Sequence, residues 1–389
     1  MNTSVPALDA APATALASAL ELHAGSGQRP PQALHLGFRT PEVFDGAPQE
    51  IASSLHSASL LDLGWLGRIR VTGRDRLRWL NGMVTNAIQA LAESEGNYSF
   101  LLNSQGRIKG DCRVYRRPKD LLLDTGRDQL PGLLSHLERY IIMDDVELQD
   151  VSSDWTAVAL VGPKAPQILE SLGISSSFSA TPSGNARLSQ VRIAGIIAGS
   201  QDVEVTLIEP PRILLPRYEL WFAPTAVIPV WEALTRAGAR PAGLRAGEVL
   251  RVLEARPLYG IDISERDLAQ ETSQSHALSF SKGCYLGQEI VERIRSRGKV
   301  HRNLRQFALH GSAPEPPFEL HRGEQPVGRI TSAVSLSLPG LPEGLALGYL
   351  RDDSDPASPK GEDASQPQSI RYEGGVAKAL DAPPPLPAS

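Results

Sequence analysis

Short apolar runs alternate with turn residues in the first part of the chain, which indicates a mixture of strands and helices. The apolar positions of residues 76–80 and 130–142 have helical spacing. Gly73 ends one strand, and Ser104-Gln105-Gly106 forms the turn between two others. The predicted strands of this part are 69–71, 98–103, 111–115 and 121–124.

The middle of the chain repeats this alternation of strands and helices. Strands are predicted at 155–162, 203–208 and 218–222, and helices at 166–169, 227–237 and 246–254. Pro257 stops the last helix, and the Ser/Gly-rich stretch 173–185 is predicted to be a loop. Both parts are therefore typical of α+β layers.

After Gly298 the pattern changes to short strands separated by Gly and Pro, which favours a small barrel or sandwich. These strands are 304–309, 327–330, 345–349 and 369–372. The predicted fold class is α+β, with two α/β-type sheet domains followed by a small C-terminal β-barrel.

Composition sets the predicted domain limits. Residues 1–45 are interpreted as a disordered N-terminal arm because the opening is rich in Ala, Ser and Pro. The predicted α+β domains are 46–150 and 151–302, and the barrel is 303–381. Residues 352–368 are a polar insertion predicted to be disordered, and 382–389 form a Pro-rich tail.

The composition excludes several classes of protein. A net charge of −5 argues against a dedicated DNA binder and against a membrane-surface protein. No apolar run reaches the length of a membrane span, and the opening residues lack secretory or transit features. Two distant cysteines make no disulfide framework. We therefore expect a bacterial-type cytoplasmic protein.

The most informative motif is Lys282-Gly283-Cys284-Tyr285-Leu286-Gly287-Gln288-Glu289, which precedes a helical pattern. A thiol beside a cation and near a helix N-terminus is biased toward the reactive thiolate. A lone cysteine is often structural, so spacing alone leaves the two interpretations about even. The glycines permit close approach of a ligand, and Gln288 offers hydrogen bonds. His276 and His301 are the nearest histidines, and no recognised nucleophile signature includes them.

Several other polar residues have ordinary interpretations beside functional ones. Asp111 is either a hydrogen-bonded strand-edge carboxylate or a group aimed at a ligand amine. Arg251 and Glu254 have the spacing of an ordinary helix pair. No metal-ligand spacing, P-loop or dinucleotide fingerprint is present, so no metal site is predicted.

A basic run follows the cysteine motif. It is either a solvated helix face or a site for an anion such as a glutamate tail, a phosphate or RNA. Aromatic residues that stack bases are not interleaved, which argues against specific RNA binding. The run comprises Arg293, Arg295, Arg297, Lys299, His301, Arg302 and Arg305.

The cysteine motif resembles the signature of YgfZ-type folate-binding proteins, whose mitochondrial counterpart assists iron–sulfur cluster assembly. Their superfamily includes the aminomethyltransferase (T-protein) of the glycine cleavage system. Further stretches are similar to that superfamily between Ser57 and Asp381, among them 71–76, 80–86, 102–108, 246–260, 328–332 and 347–349. The resemblance implies a three-part ring with tetrahydrofolate in a central channel.

The resemblance also implies roles for individual residues. Tyr98 and Asp111 have the spacing of a tyrosine and the catalytic aspartate of the aminomethyltransferase, and Glu219 matches a pterin-reading glutamate. Arg251 matches an arginine near the negatively charged part of the folate. Cys284 is the implied essential thiol, with Lys282, Gly283 and Gln288 beside it as cofactor-binding residues.

The sequence departs from the aminomethyltransferase pattern in three places. The cysteine motif is additional, a paired aspartate becomes Gly110-Asp111, and residues 210–217 replace a glycine-rich loop. Our main hypothesis is therefore a tetrahydrofolate-binding protein that supports maturation or repair of iron–sulfur enzymes, including tRNA-modifying ones. Its expected partners are folate and iron–sulfur client or assembly proteins. The alternatives are a folate-dependent aminomethyltransferase and a non-enzymatic adaptor whose folate site is vestigial.

Overall fold

The computed structural model describes residues 8–23, 29–175, 185–197, 201–211, 214–298, 300–336, 340–351 and 369–386. Its described α-helices are α1 Ala15–His23, α2 Ala47–His56, α3 Arg76–Met83, α4 Leu130–Glu138, α5 Ala165–Ser171, α6 Val227–Arg236, α7 Leu244–Leu253 and α8 Gln288–Arg297. Short 3₁₀ helices are Leu8–Ala10, Ser152–Asp154, Pro224–Ala226, Ala269–Thr272 and Ser275–Ala277.

The strands follow in chain order. The first group is β1 Gln32–His35, β2 Phe38–Pro41, β3 Ser59–Asp62, β4 Leu66–Thr72, β5 Glu95–Leu102, β6 Ile108–Arg116, β7 Leu121–Gly126, β8 Glu147–Asp150, β9 Thr156–Val161 and β10 Ala186–Ile197. The second group is β11 Gln201–Glu209, β12 Arg217–Phe222, β13 Arg240–Ala242, β14 Arg302–Gly311, β15 Phe318–Arg322, β16 Gln325–Ser335, β17 Gly344–Arg351, β18 Ile370–Tyr372 and β19 Gly375–Leu380.

The chain divides into two compact units. Unit 1 comprises Met1–Asn81, Ala87–Ser99 and Cys112–Gly247, and unit 2 comprises Gly82–Asn86, Phe100–Asp111 and Glu248–Ser389. No helix among the described residues is long and apolar enough to cross a membrane.

Unit 1 is built around one mixed sheet of eleven strands, in the order β13-β3-β9-β12-β11-β10-β5-β6-β7-β4-β8. The α+β prediction is confirmed, but the prediction of two separate sheet domains is wrong. The long strand β10 decides this, because it pairs with β11 and also with β5 through Ala186↔Gly96 and Arg187↔Glu95. The sequence pattern predicts no strand for these residues. The connection between the two halves of the sheet, one from each predicted sheet domain, is therefore visible only in the structure.

A closed six-stranded barrel forms the C-terminal part of unit 2, in the order β14-β17-β16-β15-β18-β19. Its hydrophobic core contains the buried residues Phe307, Leu309, Leu320, Ile330 and Ala346. The predicted C-terminal barrel is therefore confirmed. The insertion predicted to be disordered, 352–368, lies outside the described residues, as do residues 387–389 of the predicted tail.

The N-terminal segment contradicts the prediction of a disordered arm where the structure describes it. α1 inserts Leu16 into the core of unit 1, and β1 pairs with β2. The hydroxyls of Thr14 and Thr40 donate to the Asp62 carboxylate at 2.5 and 2.8 Å. Composition suggested disorder, but one buried leucine and two hydroxyl contacts to a buried carboxylate hold this segment in place.

Leu16→Ala is expected to lower the free energy of unfolding of unit 1 by about 2–5 kcal/mol, because it leaves a cavity in a packed core. All five tryptophans, at 65, 79, 155, 221 and 231, lie in unit 1, so urea denaturation followed by tryptophan fluorescence measures the loss. Leu22→Ala is the matched control, since Leu22 is in the same helix and is 82% exposed. Equal stability of the two variants would contradict the docking of α1.

Candidate functional site

A row of charged side chains lies inside unit 1, on strands that the sequence pattern predicts to be apolar. Asp124 on β7 is the register partner of Arg68 on β4 and of Arg113 on β6. The Nε atom of Arg68 is 3.5 Å from Asp124 Oδ1, and Nη1 of Arg113 is 3.8 Å from Asp124 Oδ2. Buried charges persist only when they are paired, so this carboxylate holds both arginines.

Glu219 on β12 extends this row. Its carboxylate oxygen Oε1 is 3.2 Å from Arg113 Nη1 and 3.5 Å from Arg217 Nε. The side chain of Glu219 is 1% exposed, whereas that of Arg113 is 29% exposed. We call Arg68, Arg113, Asp124, Arg217 and Glu219 the buried charge cluster.

Aromatic side chains surround the buried charge cluster. The Arg68 guanidinium lies 4.1 Å from the centroid of the Trp221 ring, and Tyr115 meets the same tryptophan edge-on at 5.3 Å. The guanidinium nitrogens of Arg68 make no hydrogen bond to any residue that the structure describes. Burial lowers the pKa of Arg68, and the charges of Asp124 and Glu219 oppose that shift.

Arg113 is the most strongly held cation of the cluster. Burial opposes its charge, but the attraction of Glu219, Tyr115 and Asp124 outweighs burial and raises the pKa of Arg113. Tyr98 lies on β5, the strand next to β6 in the sheet, and contributes to the same rise in the pKa of Arg113. Of the predicted folate contacts, Glu219 is the one that the structure pairs directly with Arg113.

The predicted catalytic Asp111 is half-buried and lies on β6, two residues before Arg113. Side chains two apart along a strand share a face, so Asp111 and Arg113 have the same orientation relative to the sheet. Arg68, Arg113 and Asp124 are not among the site residues predicted from the sequence. Asp124 is the single charged residue of the otherwise uncharged strand β7, and this is the signal that could have found the cluster.

The cysteine motif forms a separate site in unit 2. Cys284 is exposed and lies in the loop that leads into α8. Together with Gly82, Met83, Ser104 and residues 285–289, it lines an open pocket of about 400 Å³. A thiol in this position is accessible to a second molecule.

The two motif glycines differ in what the structure requires of them. Gly287 is the N-cap of α8 with φ of 81°, and a Cβ there would lie 2.6 Å from the carbonyl oxygen of Asn103. A Cβ at Gly283 would meet nothing within 4 Å. Glycine is therefore structurally necessary at 287, whereas the space around Gly283 does not require a glycine.

Lys282 and Gln288 support the loop around Cys284. Lys282 Nζ donates to the carbonyl oxygens of Val84 and Asn86 at 2.6 and 2.8 Å and lies 4.9 Å from the Tyr285 ring centroid. Burial lowers the pKa of Lys282 to about 7. Gln288 Oε1 accepts from the backbone N–H of Tyr285 at 3.2 Å. Both polar side chains thus fix the backbone of the motif.

Arg251 on α7 lies in a different network of unit 2, at the contact with the barrel strand β16. Its Nη1 donates to Asp262 Oδ2 at 2.6 Å, and its Nη2 donates to Ser332 Oγ at 2.8 Å and to Glu248 at 2.8 Å. The side chain is 9% exposed. The contacts observed for Arg251 therefore join α7 to the barrel.

Ion pairs within unit 2 reduce the positive charge of the basic run. Arg302 Nη2 lies 2.6 Å from Asp267, Arg305 pairs with Asp381 at 2.8 Å, and Arg295 pairs with Glu292 at 3.4 Å. The side chains of Arg297 and Lys299 lie outside the described residues. The run is accordingly a weaker anion site than its sequence indicates.

Comparison with known proteins gives these sites a family context. Residues 27–200 match the family model of the GCVT N-terminal domain. An aminomethyltransferase from Thermus thermophilus is 27% identical over 359 residues, covering 90% of this chain and 93% of the relative. Over residues 27–200 this chain is therefore similar to the GCVT N-terminal domain, and over most of its length it is similar to an aminomethyltransferase.

Two further comparisons find similar proteins. An aminomethyltransferase from Rubrobacter xylanophilus is 26% identical over 321 residues, covering 82% of this chain and 83% of the relative. The crystal structure of the glycine cleavage system aminomethyltransferase T from Bartonella henselae aligns with a TM-score of 0.73 at 18% identity, covering 92% of this chain and 94% of that chain. This last similarity concerns the fold alone.

Proposed function

We propose that this protein binds tetrahydrofolate and transfers a one-carbon unit between the folate and an amine donor. The carrying observation is Glu219, a buried carboxylate that already binds a guanidinium group at 3.2 Å. The pterin of folate presents a guanidine-like edge with a similar set of donors, which a carboxylate can accept through two hydrogen bonds. A carboxylate that binds the guanidinium of Arg113 is therefore also suited to bind the guanidine-like edge of a pterin.

Two predicted site residues support this proposal. Tyr98, on the strand β5 next to β6, supplies an aromatic ring for contact with a flat heterocycle. Asp111, on the strand β6 that also carries Arg113, supplies a half-buried carboxylate that can orient an amine and take up its proton. When bound, tetrahydrofolate would supply the two nitrogens that carry the one-carbon unit, one in the pterin ring and one outside it. The ring arrangement around a central channel, a folate contact by Arg251 and a cytoplasmic location stay predictions.

The similarity to the GCVT N-terminal domain and to two aminomethyltransferases favours this activity over the main hypothesis drawn from the sequence. That hypothesis, support of iron–sulfur enzymes by a YgfZ-type protein, remains our second candidate. The exposure of Cys284 in an open pocket favours it, since an accessible thiol can meet a client or assembly protein.

The deciding experiment measures formation of methylene-tetrahydrofolate from an aminomethyl donor by the purified protein and two variants. We expect turnover in the wild type and in Cys284→Ala, and a loss of about 100-fold or more in Asp111→Asn, because a general base contributes roughly that factor. Turnover lost in Cys284→Ala but kept in Asp111→Asn would contradict the proposed role of Asp111.

The second candidate has its own test in a strain that depends on this protein. Cys284→Ala should abolish the activity of iron–sulfur enzymes, such as tRNA methylthiolation enzymes, while Ser104→Ala in the same pocket should preserve it. Normal enzyme activity with Cys284→Ala would exclude the thiol from such a role.

A further inference from the structure

Arg113 occupies the contact on Glu219 that a guanidine-like ligand would need. Its Nη1 lies 3.2 Å from Glu219 Oε1, within hydrogen-bonding distance. A guanidinium and the amino-pyrimidine edge of a pterin present comparable N–H donors to a carboxylate. The Arg113 side chain therefore resembles the part of the ligand that Glu219 is proposed to recognise.

Exposure shows which partner of this ion pair meets the solvent. The Glu219 side chain is 1% exposed and that of Arg113 is 29% exposed. A ligand that approaches Glu219 from the Arg113 side has to displace the guanidinium before it reaches the carboxylate.

The cluster offers Arg113 a second position at small cost. Asp124 Oδ2 is 3.8 Å from the same Nη1 atom, so a small rotation exchanges one carboxylate for the other. The Glu219 carboxylate is then free to accept hydrogen bonds from the ligand, while Arg113 stays paired with Asp124. This exchange leaves no buried charge unpaired, which is the usual cost of breaking a buried ion pair.

We propose that Arg113 is a displaceable internal competitor, which occupies Glu219 in the absence of ligand and moves toward Asp124 when a guanidine-like heterocycle binds. This inference rests on the proposed function, because it takes Glu219 as the residue that recognises the folate. A ligand has to replace the hydrogen bond that Arg113 Nη1 donates to Glu219 Oε1, so Arg113 disfavours molecules that present no N–H donor to this carboxylate.

The test compares binding of 5-formyltetrahydrofolate to the wild type, Arg113→Ala and Arg113→Gln by calorimetry. Both variants are expected to bind about tenfold more tightly, which corresponds to about 1.4 kcal/mol, because the competing ion pair is gone. Arg116→Gln is the matched control on the same strand, where the arginine donates to the carbonyl oxygen of Leu91 at 2.6 Å. Its affinity should equal that of the wild type.

Guanidinium ion at millimolar concentration supplies a second readout. It should compete with the folate in Arg113→Ala, where it can refill the vacated contact, and much less in the wild type. Tryptophan fluorescence and thermal unfolding establish that the variants are folded, and Arg113→Gln keeps a donor beside Glu219 if the alanine variant does not fold.

The outcomes separate this inference from the proposed function. Folded variants that bind folate no more tightly than a folate-binding wild type would overturn the competitor role alone. If neither the wild type nor the folded variants bind, then the proposed function fails and the inference fails with it. Binding by the variants but not by the wild type would support both.

Discussion

Asp262→Ala is expected to lower the free energy of unfolding of unit 2 by about 3–5 kcal/mol, because it removes the fully buried carboxylate partner of Arg251 and leaves this arginine only the partly exposed Glu248. The Asp262 carboxylate is fully buried and accepts from Arg251 Nη1 at 2.6 Å and from Ser332 Oγ at 2.7 Å. Thr331 Oγ1 at 2.5 Å and the backbone N–H of Leu258 at 2.9 Å complete its contacts. One carboxylate thus connects α7, the following turn and β16.

Urea denaturation followed by far-ultraviolet circular dichroism measures this effect, since unit 2 contains no tryptophan. Asp381→Ala is the control, because Asp381 also pairs with an arginine of unit 2, Arg305 at 2.8 Å, but its side chain is fully exposed. An exposed pair contributes about 0–1 kcal/mol. Similar losses in the two variants would show that burial of Asp262 does not control the stability of unit 2.

Glu219→Gln is expected to weaken binding of 5-formyltetrahydrofolate by about 100-fold, since a neutral amide cannot replace the charge-assisted hydrogen bonds of a buried carboxylate. The change should lower the stability of unit 1 less than a substitution that leaves a cavity in its core, because Arg113 keeps its ion pair with Asp124 at 3.8 Å. Calorimetry measures the affinity, and tryptophan fluorescence checks that the variant is folded.

Glu204→Gln is the control for this prediction. Glu204 lies on β11, in the same sheet, and also pairs with an arginine, Arg192 at 3.5 Å, but its side chain is 82% exposed. We expect wild-type affinity from it. A folded Glu219→Gln variant with wild-type affinity would rule out Glu219 as the residue that recognises the pterin.

Local pattern predicted most of the individual elements. The alternation in residues 304–309 and 345–349 identifies barrel strands that pair directly in the structure as β14 and β17. The helical spacing of residues 76–80 and 246–254 lies within or overlaps α3 and α7. These predictions succeed because side-chain period depends on the geometry of a single element.

Pairings between distant parts of the chain escaped the same reasoning. β10 joins the two halves of the sheet, and α1 packs against residues far along the chain through Leu16. The Ala-rich opening resembles a disordered arm in composition, and only the surface that receives Leu16 makes it a helix of the core. The pattern of apolar and polar residues within one segment does not show which distant segment will pair with it or pack against it.

The sequence by itself determined that Cys284 lies in a glycine-containing loop before a helix, and that Glu219, Asp111 and Tyr98 lie on strands. Only the tertiary structure decided that Arg113 bridges Asp124 and Glu219, which are separated by 95 positions in sequence and belong to different strands of one sheet. The reason is electrostatic, because a buried charge is stable only where the fold brings an opposite charge to it. Which arginine meets which carboxylate is therefore a property of the folded sheet.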